Sequence, residues 1–87
     1  MTRLQIVVPW EDGIHMRRAA VLTRLAHRFK SSLRLRKGQV TADLRSILSI
    51  VTLCATMGTT LEVEAAGDDE QEAARAVECV FNDGALR

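Results

Sequence analysis

Aromatic residues are scarce in this sequence, which has no tyrosine, one tryptophan and two phenylalanines among its 87 residues. Proteins that bind single-stranded nucleic acids need aromatic side chains on which the bases stack. The sequence also contains no recognition-helix signature of a DNA-binding protein. We therefore expect no nucleic-acid partner.

Cysteines and long apolar runs are also scarce. The two cysteines, Cys54 and Cys79, are too few for a disulfide framework or, unaided, for a zinc site, so we expect small core residues in a reducing compartment. No apolar stretch approaches the roughly 18–20 residues that a membrane span needs. The acidic pair Glu11-Asp12 after a short apolar run is not typical of a signal peptide. The sequence thus predicts a soluble, cytoplasmic protein with no membrane partner.

The composition that remains fits one small globular domain spanning residues 1–87. Hydrophobic residues make up 47% and charged residues 26% of the chain, which excludes a disordered or collagen-like protein. Residues 1–45 hold ten Lys and Arg against three acids, a balance of +7, whereas residues 46–87 have a balance of −6. Either folding interleaves the halves and cancels the imbalance, or a basic face meets an acidic partner or a phosphate.

Alternating apolar and polar residues predict four strands, around residues 3–8, 33–36, 40–42 and 61–65. The turn signal Lys37-Gly38 joins the second and third strands in a hairpin. Each strand has one apolar face, so helices should cover one side of the sheet and water the other. The outward-facing charges of the second and fourth strands are Arg34, Arg36, Glu62 and Glu64. Pairing these two strands would place opposite charges side by side.

Apolar residues at helical spacing predict three helices, so the element order is β-α-β-β-α-β-α and the fold class is α+β. Ser46 can cap the second helix and Gly58 can end it, while Asp68 and Gln71 form a capping-box pattern for the third. The predicted inward-facing residues are Ala19, Leu22, Ala26 and Phe29, widened by Val21 and Leu25, in the first helix, Ile50, Leu53, Cys54 and Met57 in the second, and Ala73, Ala74, Val77, Val80 and Phe81 in the third.

His15 lies where a glycine-bearing loop becomes the first helix. The unpaired amides of a first turn, together with the helix dipole, make such a position favourable for an anion. Arg17 and Arg18 add two guanidiniums suited to phosphate oxygens within one turn. An uncharged imidazole is a nucleophile, so these residues are compatible with phosphoryl chemistry. The alternative is a solvated histidine at a helix end.

Two motifs resemble those of a known family. Gly13-Ile14-His15-Met16-Arg17-Arg18-Ala19-Ala20 is similar to the signature G-[LI]-H-x-R-P-A-x of the HPr family, the histidine-containing phosphocarriers of the bacterial phosphotransferase system. Arg45-Ser46-Ile47-Leu48-Ser49-Ile50 resembles the family's regulatory-serine segment. Gly58 and the acidic run Asp68-Asp69-Glu70 match further positions. The resemblance covers essentially the whole chain and implies a four-stranded antiparallel sheet covered on one face by three helices, an open-faced sandwich.

By this resemblance, His15 accepts a phosphoryl group on Nδ1 from phosphorylated enzyme I and passes it to a histidine of a IIA domain. Arg17 is the implied electrostatic partner of the phosphate, and Arg18 is a candidate for a second one. Such a protein is a phosphoryl carrier, not an enzyme with turnover of its own, because positioning and charge do most of the work in phosphoryl transfer. The resemblance implies no cofactor and no metal, and we expect a monomer.

The family's partners share an acidic and apolar docking surface, and the resemblance places the matching contacts on and beside the first two helices. They are Met16, Arg24, Arg45, Ile47, Leu48 and Thr52. Ile47 and Leu48 point away from the predicted inner face of the second helix, which favours partner contact, although single exposed apolar residues are common. A carrier must release each partner quickly, so the interfaces should be small, weak and salt-sensitive.

Ser46 has two interpretations. As an N-cap its hydroxyl would satisfy a free backbone donor, a contribution of about 1 kcal/mol. By the resemblance, an HPr kinase/phosphorylase would add a dianion there, which the helix N-terminus would stabilise and which would disrupt docking beside Ile47. The two roles are compatible.

Two residues depart from the family's pattern. Arg18 replaces the usual proline, so it adds a donor and a positive charge, and we hypothesise that it tightens the phosphorylated state. Asp12 stands where many members have an uncharged residue, and its carboxylate would favour a protonated imidazole and repel an incoming phosphoryl group. These departures leave open a specialised paralogue that acts mainly as a regulatory protein-binding module. A small ligand-sensing α+β domain is the other alternative, but it would not need His15 paired with Arg17.

Overall fold

The computed structural model describes residues 1–84, and residues 85–87, which include the Arg87 of the charge count, lie outside this part. The elements follow the predicted β-α-β-β-α-β-α order. They are β1 (Thr2–Val7), α1 (Met16–Ala26), β2 (Ser32–Lys37), β3 (Val40–Asp43), α2 (Ile47–Thr52), β4 (Thr60–Ala66) and α3 (Glu70–Gly84).

Within the described residues the strands form one antiparallel sheet in the order β1-β4-β2-β3. β4 is therefore central, and its Val63 lies opposite Leu4 of β1 on one side and Leu35 of β2 on the other. Because directly paired residues share a face of the sheet, this register gathers apolar side chains on one side. Val63 and Leu35 are fully buried there.

The helices cover that apolar side of the sheet. α3 packs against β1, β4 and β2, α1 packs against α2 and α3, and α2 packs against β3. The predicted helical stripes supply most of the core, since Leu22, Ile50, Val77 and Phe81 are all buried. The prediction is wrong for two members of the first stripe, because Val21 is exposed and Phe29 lies beyond the end of α1 at Ala26. The predicted fold class is confirmed: a four-stranded antiparallel sheet with three helices on one face, counted over residues 1–84.

The outer face of the sheet carries the predicted pairing of charges between β2 and β4. Arg36 Nε donates to Glu64 Oε2 at 3.0 Å and lies 3.9 Å from Glu62 Oε1, and Arg3 Nε of β1 is 3.7 Å from Glu64 Oε2. The hydrogen bond from Arg36 holds the pKa of the Glu64 carboxyl below its usual value although burial opposes this. Part of the charge imbalance between the two halves is therefore cancelled on this face.

The second helix is shorter than predicted, because α2 ends at Thr52 and not at Gly58. Cys54 adopts a left-handed conformation with φ of 53°, which turns the chain out of the helix. Lys37 Nζ donates to the carbonyl oxygens of Leu53 and Cys54, at 2.9 and 3.3 Å, and so stabilises this end of the segment. Gly58 lies in the next turn, where its amide donates to the Val8 carbonyl at 2.9 Å.

The prediction that both cysteines are core residues is wrong, since Cys54 and Cys79 are exposed. Beyond Leu53 the helical spacing no longer applies, so Cys54 and Met57 face solvent. Cys79 lies two positions from both Val77 and Phe81, which places it on the outer side of α3.

The start of α3 also differs from the prediction. The helix begins at Glu70, one residue after the position that an Asp68 cap requires, and the Asp69 carbonyl accepts from the Ala73 amide at 2.9 Å. The Asp69 carboxylate turns to the segment before β2, where it accepts from Ser31 Oγ at 2.5 Å and from the amides of Ser31 and Lys30 at 2.9 and 3.0 Å. These hydrogen bonds tie α3 to the segment between α1 and β2.

The Asp69 carboxylate should contribute pH-dependent stability. Its hydrogen bonds from Ser31 and from the Lys30 amide hold the pKa of Asp69 below its usual value. A depressed pKa gives stability that is present above the unfolded-state value and is lost as pH falls through the folded-state value. We expect Asp69→Asn to lower the urea midpoint at pH 7, and the deficit to shrink as the pH falls below about 4.

Asp68→Asn is the matched control for this measurement, because Asp68 is the exposed neighbour of Asp69 and the substitution removes the same charge. Its urea midpoint should follow that of the wild type. Equal midpoints for all three proteins at pH 7 would contradict the proposed tie.

Candidate functional site

The loop between β1 and α1 is held by buried residues on either side of an exposed acidic tip. Trp10 and Ile14 are each 4% exposed, whereas Glu11 and Asp12 face solvent. The Gly13 amide donates to the Trp10 carbonyl at 2.9 Å and closes a turn, and the Ile14 amide donates to the Ala55 carbonyl at 3.1 Å. The loop therefore reaches the start of α1 in a defined conformation.

Gly13 is required at this position by both its conformation and its surroundings. Its φ is +70°, and a Cβ built there would lie 2.4 Å from the Ala55 carbonyl oxygen. This approach joins the loop before α1 to the segment that follows α2, so the two helix ends are held together.

His15 is the N-cap residue of α1, as predicted. Its backbone is extended and its carbonyl accepts the first helical hydrogen bond, from the Ala19 amide at 2.9 Å. The side chain is 54% exposed, and within the described part of the chain it makes no capping hydrogen bond. The amides of the first turn have no partner inside the helix, so the imidazole stands beside an electropositive helix end.

Asp12 contacts the imidazole directly, which the sequence did not predict. His15 Nε2 and Asp12 Oδ2 are 2.5 Å apart. The hydrogen bond with His15 is the main cause that lowers the pKa of the Asp12 carboxyl, followed by the backbone amide of Asp12, and the positive charge of Arg18 adds to it. The carboxylate is thus ionised at neutral pH and bound to one nitrogen of the ring.

The two arginines that follow His15 have different surroundings. Arg17 is exposed at the start of α1, where a bound anion could meet its guanidinium. Arg18 is half-buried, and its Cζ lies 4.6 Å from the centroid of the Trp10 ring in a cation–π contact. Trp10 in turn packs against Phe81 of α3, with ring centroids 4.9 Å apart. The sequence indicates only that Trp10 lies in a loop. Its large apolar side chain beside the acidic residues Glu11 and Asp12 is nevertheless a signal that this side chain is buried and holds the loop in place.

Ser46 caps α2, as predicted. Its Oγ accepts from the Ser49 amide at 3.3 Å, and its carbonyl accepts from the Ile50 amide at 3.2 Å. The side chain is half-buried, so the hydroxyl lies at the surface end of the helix.

The predicted docking residues are exposed with one exception. Met16 is 60% and Leu48 70% exposed, large values for apolar side chains. The expectation that Ile47 points away from the core is wrong, because Ile47 is half-buried and packs against the core cluster. A first-turn residue of a six-residue helix can reach the core edge beside its own cap, which the helical spacing did not reveal.

The remaining docking candidates are polar. Arg24, Arg45 and Thr52 are exposed. Arg45 Nη2 donates to the Phe29 carbonyl at 2.9 Å, and Thr52 Oγ1 donates to the Ser49 carbonyl at 2.8 Å. α1 packs against α2, so the exposed candidates lie on or beside two helices that are in contact.

Residues 1–84 contain neither a cluster of three metal-ligating side chains nor a membrane-spanning helix. In that range no three His, Cys, Asp or Glu side chains come close enough together to hold an ion. None of the helices in the same range has the length and apolar character needed to cross a bilayer.

Comparisons with known proteins agree with this geometry. The family model described as "PTS HPr component phosphorylation site" matches residues 2–83. The phosphocarrier protein HPr of Mycoplasma pneumoniae is 33% identical over 82 residues, 93% of each chain. The phosphocarrier protein NPr of Escherichia coli K12 is 37% identical over 73 residues, 83% of this chain and 81% of that protein. The crystal structure of HPr-C-His from Thermoanaerobacter tengcongensis matches with a TM-score of 0.93 and 28% identity, covering 100% of this chain and 98% of that one.

The close approach of Gly13 to Ala55 can be tested by substitution. Gly13→Ala should lose about 1–2 kcal/mol of unfolding free energy for a left-handed alanine and about 1–3 kcal/mol more for the clash with the carbonyl. The free energy of unfolding in urea gives the measurement.

Gly38→Ala provides the control, because Gly38 has a similar φ of +61° but no neighbour within 4 Å of a built Cβ. Gly38→Ala should lose only about 1–2 kcal/mol of unfolding free energy, which is what a left-handed alanine costs. If both substitutions cost the same, the contact with Ala55 does not constrain the loop.

Proposed function

The chain belongs to the HPr family of phosphocarrier proteins, and we propose that it carries a phosphoryl group on His15 from phosphorylated enzyme I to a histidine of a IIA domain. The observation that carries the proposal is the exposed imidazole of His15 at the N-terminus of α1. A group that is received from one protein and delivered to another must be accessible to both. The role within the phosphotransferase system follows from the family, and the individual transfer steps are our proposal.

The surroundings of His15 support a transient phosphoryl group. The unpaired amides of the first turn of α1 and the positive end of the helix dipole favour a dianion. The exposed guanidinium of Arg17 adds a positive charge two residues from His15 in sequence. We propose that Arg17 pairs with the phosphate, and that Arg18 adds a longer-range positive charge from its position over Trp10.

We further propose that partners dock on the surface shared by α1 and α2. Met16 and Leu48 supply exposed apolar area, and Arg24 and Arg45 supply positive charge at its edge. Thr52 completes the surface, and Ile47 contributes through its exposed part. An acidic partner surface with an apolar centre would complement this pattern, and a small contact of that kind is released quickly and weakens with salt.

The remaining expectations stay predictions. We predict that residues 1–87 form a single domain and that the protein is a monomer in the cytoplasm. We also predict that it is not an enzyme with turnover of its own, that it needs no cofactor or metal, and that an HPr kinase/phosphorylase modifies Ser46. Ser46 Oγ accepts a hydrogen bond from the Ser49 amide at the start of α2, and Ser46 is adjacent in sequence to Ile47 of the proposed docking surface. A phosphate there would alter that surface by charge.

A second candidate function is favoured by Asp12 and Arg18, which both depart from the family's pattern at the site itself. A specialised paralogue would act on a regulatory partner set in place of a general sugar system. The two candidates differ in which IIA domain accepts the phosphoryl group, so competition between purified IIA domains for the phosphorylated chain distinguishes them.

Phosphorylation at His15 is tested by incubating the protein with phosphoenolpyruvate and enzyme I. We expect one acid-labile phosphate per chain, because a phosphoryl group on imidazole nitrogen is labile in acid. His15→Ala should abolish the incorporation, measured by intact mass.

His27→Ala is the matched control, since His27 is the other histidine of the chain, is also exposed and lies at the far end of α1. It should incorporate phosphate like the wild type. Labelling that survives in His15→Ala, or that is absent from the wild type, would refute the proposed function.

Docking on the α1–α2 surface is tested by a charge at its apolar centre. Leu48→Asp should raise the KM for phosphorylation by enzyme I about tenfold, because loss of one well-placed apolar contact costs roughly 1–2 kcal/mol and an acid repels an acidic partner. The kcat should change little.

Val40→Asp is the control for this substitution. Val40 is 57% exposed on the β2–β3 hairpin, outside the proposed surface, and receives the same change. Equal KM values for the two variants would place the docking surface elsewhere.

A further inference from the structure

We propose that Asp12 is a positioning residue, which holds the imidazole of His15 with its proton on Nε2 and leaves the lone pair of Nδ1 as the nucleophile. The proposal rests on the proposed function for its chemical consequence. Its structural part, the position of the ring proton, stands without it.

The contact between the two side chains determines which nitrogen carries the proton. His15 Nε2 lies 2.5 Å from Asp12 Oδ2. An ionised carboxylate can only accept a hydrogen bond, so the ring nitrogen that faces it must be the donor. In the neutral imidazole the other nitrogen, Nδ1, then has the free lone pair. The sequence alone predicts that Asp12 is unfavourable for the site, whereas the observed geometry gives it a constructive role.

Asp12 is held in place to do this. It lies in the turn that the hydrogen bond from the Gly13 amide to the Trp10 carbonyl closes. Trp10 at the start of this turn is buried, and Arg18 Cζ lies 4.6 Å from the centroid of its ring.

His27 shows the opposite arrangement in the same helix. Its Nδ1 lies 2.8 Å from the Thr23 carbonyl oxygen, which is an acceptor, so its ring proton is on Nδ1. Nδ1 has a free lone pair at His15, whereas at His27 it carries the ring proton and donates to the Thr23 carbonyl. The chain holds its two histidines in opposite tautomers, and only His15 offers the Nδ1 lone pair.

The proposed tautomer lets phosphoryl transfer proceed without a proton transfer. The Nδ1 lone pair attacks phosphorus, and the bond from phosphorus to the donor's ring nitrogen breaks, its electron pair returning to that nitrogen. The His15 ring then carries the phosphoryl group on Nδ1, the proton on Nε2 and a positive charge, which the Asp12 carboxylate stabilises. When the group leaves for the next acceptor, the electron pair of the P–N bond returns to Nδ1.

The position of the ring proton is tested by nitrogen-15 NMR of the full chain at about pH 8.5, where an ordinary imidazole is neutral. We expect His15 to be in the Nε2–H form and His27 in the Nδ1–H form. In Asp12→Asn the amide can donate as well as accept, so the ratio of the two His15 tautomers should shift about tenfold toward Nδ1–H, the effect of losing a hydrogen bond to a charged group. His27 should not change, and it reports that the fold is intact.

The functional consequence is tested by the rate of phosphorylation by enzyme I. Asp12→Asn should lower kcat about tenfold, similar to the loss of other carboxylates that orient a histidine, with KM nearly unchanged. Glu11→Gln is the matched control, because Glu11 is the exposed neighbouring acid in the same loop and the change in charge is equal. It should leave both the tautomer ratio and kcat near wild type.

Each outcome decides a different statement. If the His15 tautomer ratio is the same in Asp12→Asn and wild type, or if Glu11→Gln shifts it equally, the positioning role is overturned. If the ratio shifts as expected but kcat does not fall, Asp12 orients the ring without serving transfer, and the proposal fails in that part. If the wild type takes no phosphate at all, the proposed function fails, while the NMR result still decides the structural part.

Discussion

A backbone contact between two loops determines where the imidazole of His15 lies. The Ile14 amide donates to the Ala55 carbonyl, and Gly13 approaches the same oxygen more closely than any side chain would permit. Ala55 follows α2 and Gly13 precedes α1, so the contact fixes the start of one helix against the end of the other. The site chemistry, which belongs to the start of α1, is thereby held in register with the exposed surface of α2. Neither could shift alone without breaking this contact.

Charged residues differ in their surroundings on the two sides of the sheet. On the outer face, Arg36 and Arg3 meet Glu64, and these pairs neutralise one another. On the helical side, Arg17, Arg24 and the exposed basic residues near them keep their charge toward solvent. The acids of the second half of the chain are used by the sheet and by the start of α3, where Asp69 binds backbone and hydroxyl groups.

The fold and the family could be predicted from the sequence, and the detailed contacts could not. Periodicity indicated every element and its buried stripe, because the apolar face of each strand and helix is continuous. It failed at Cys54, which takes a left-handed conformation that no side-chain pattern indicates, and at Cys79, which lies within α3 but on its exposed side. His15 was placed correctly by its motif. The contact of Asp12 with His15 depends on the turn between them, and the contact of Arg18 with Trp10 depends on the burial of a loop residue, so both needed coordinates.

The packing of Trp10 has a practical consequence. It is the only tryptophan in the sequence, and its ring lies between the guanidinium of Arg18 and the ring of Phe81. An indole in such contact with a cation has an emission that depends on where that cation sits. The molecule therefore contains its own optical probe, one that reads out the loop beside the imidazole without any attached dye.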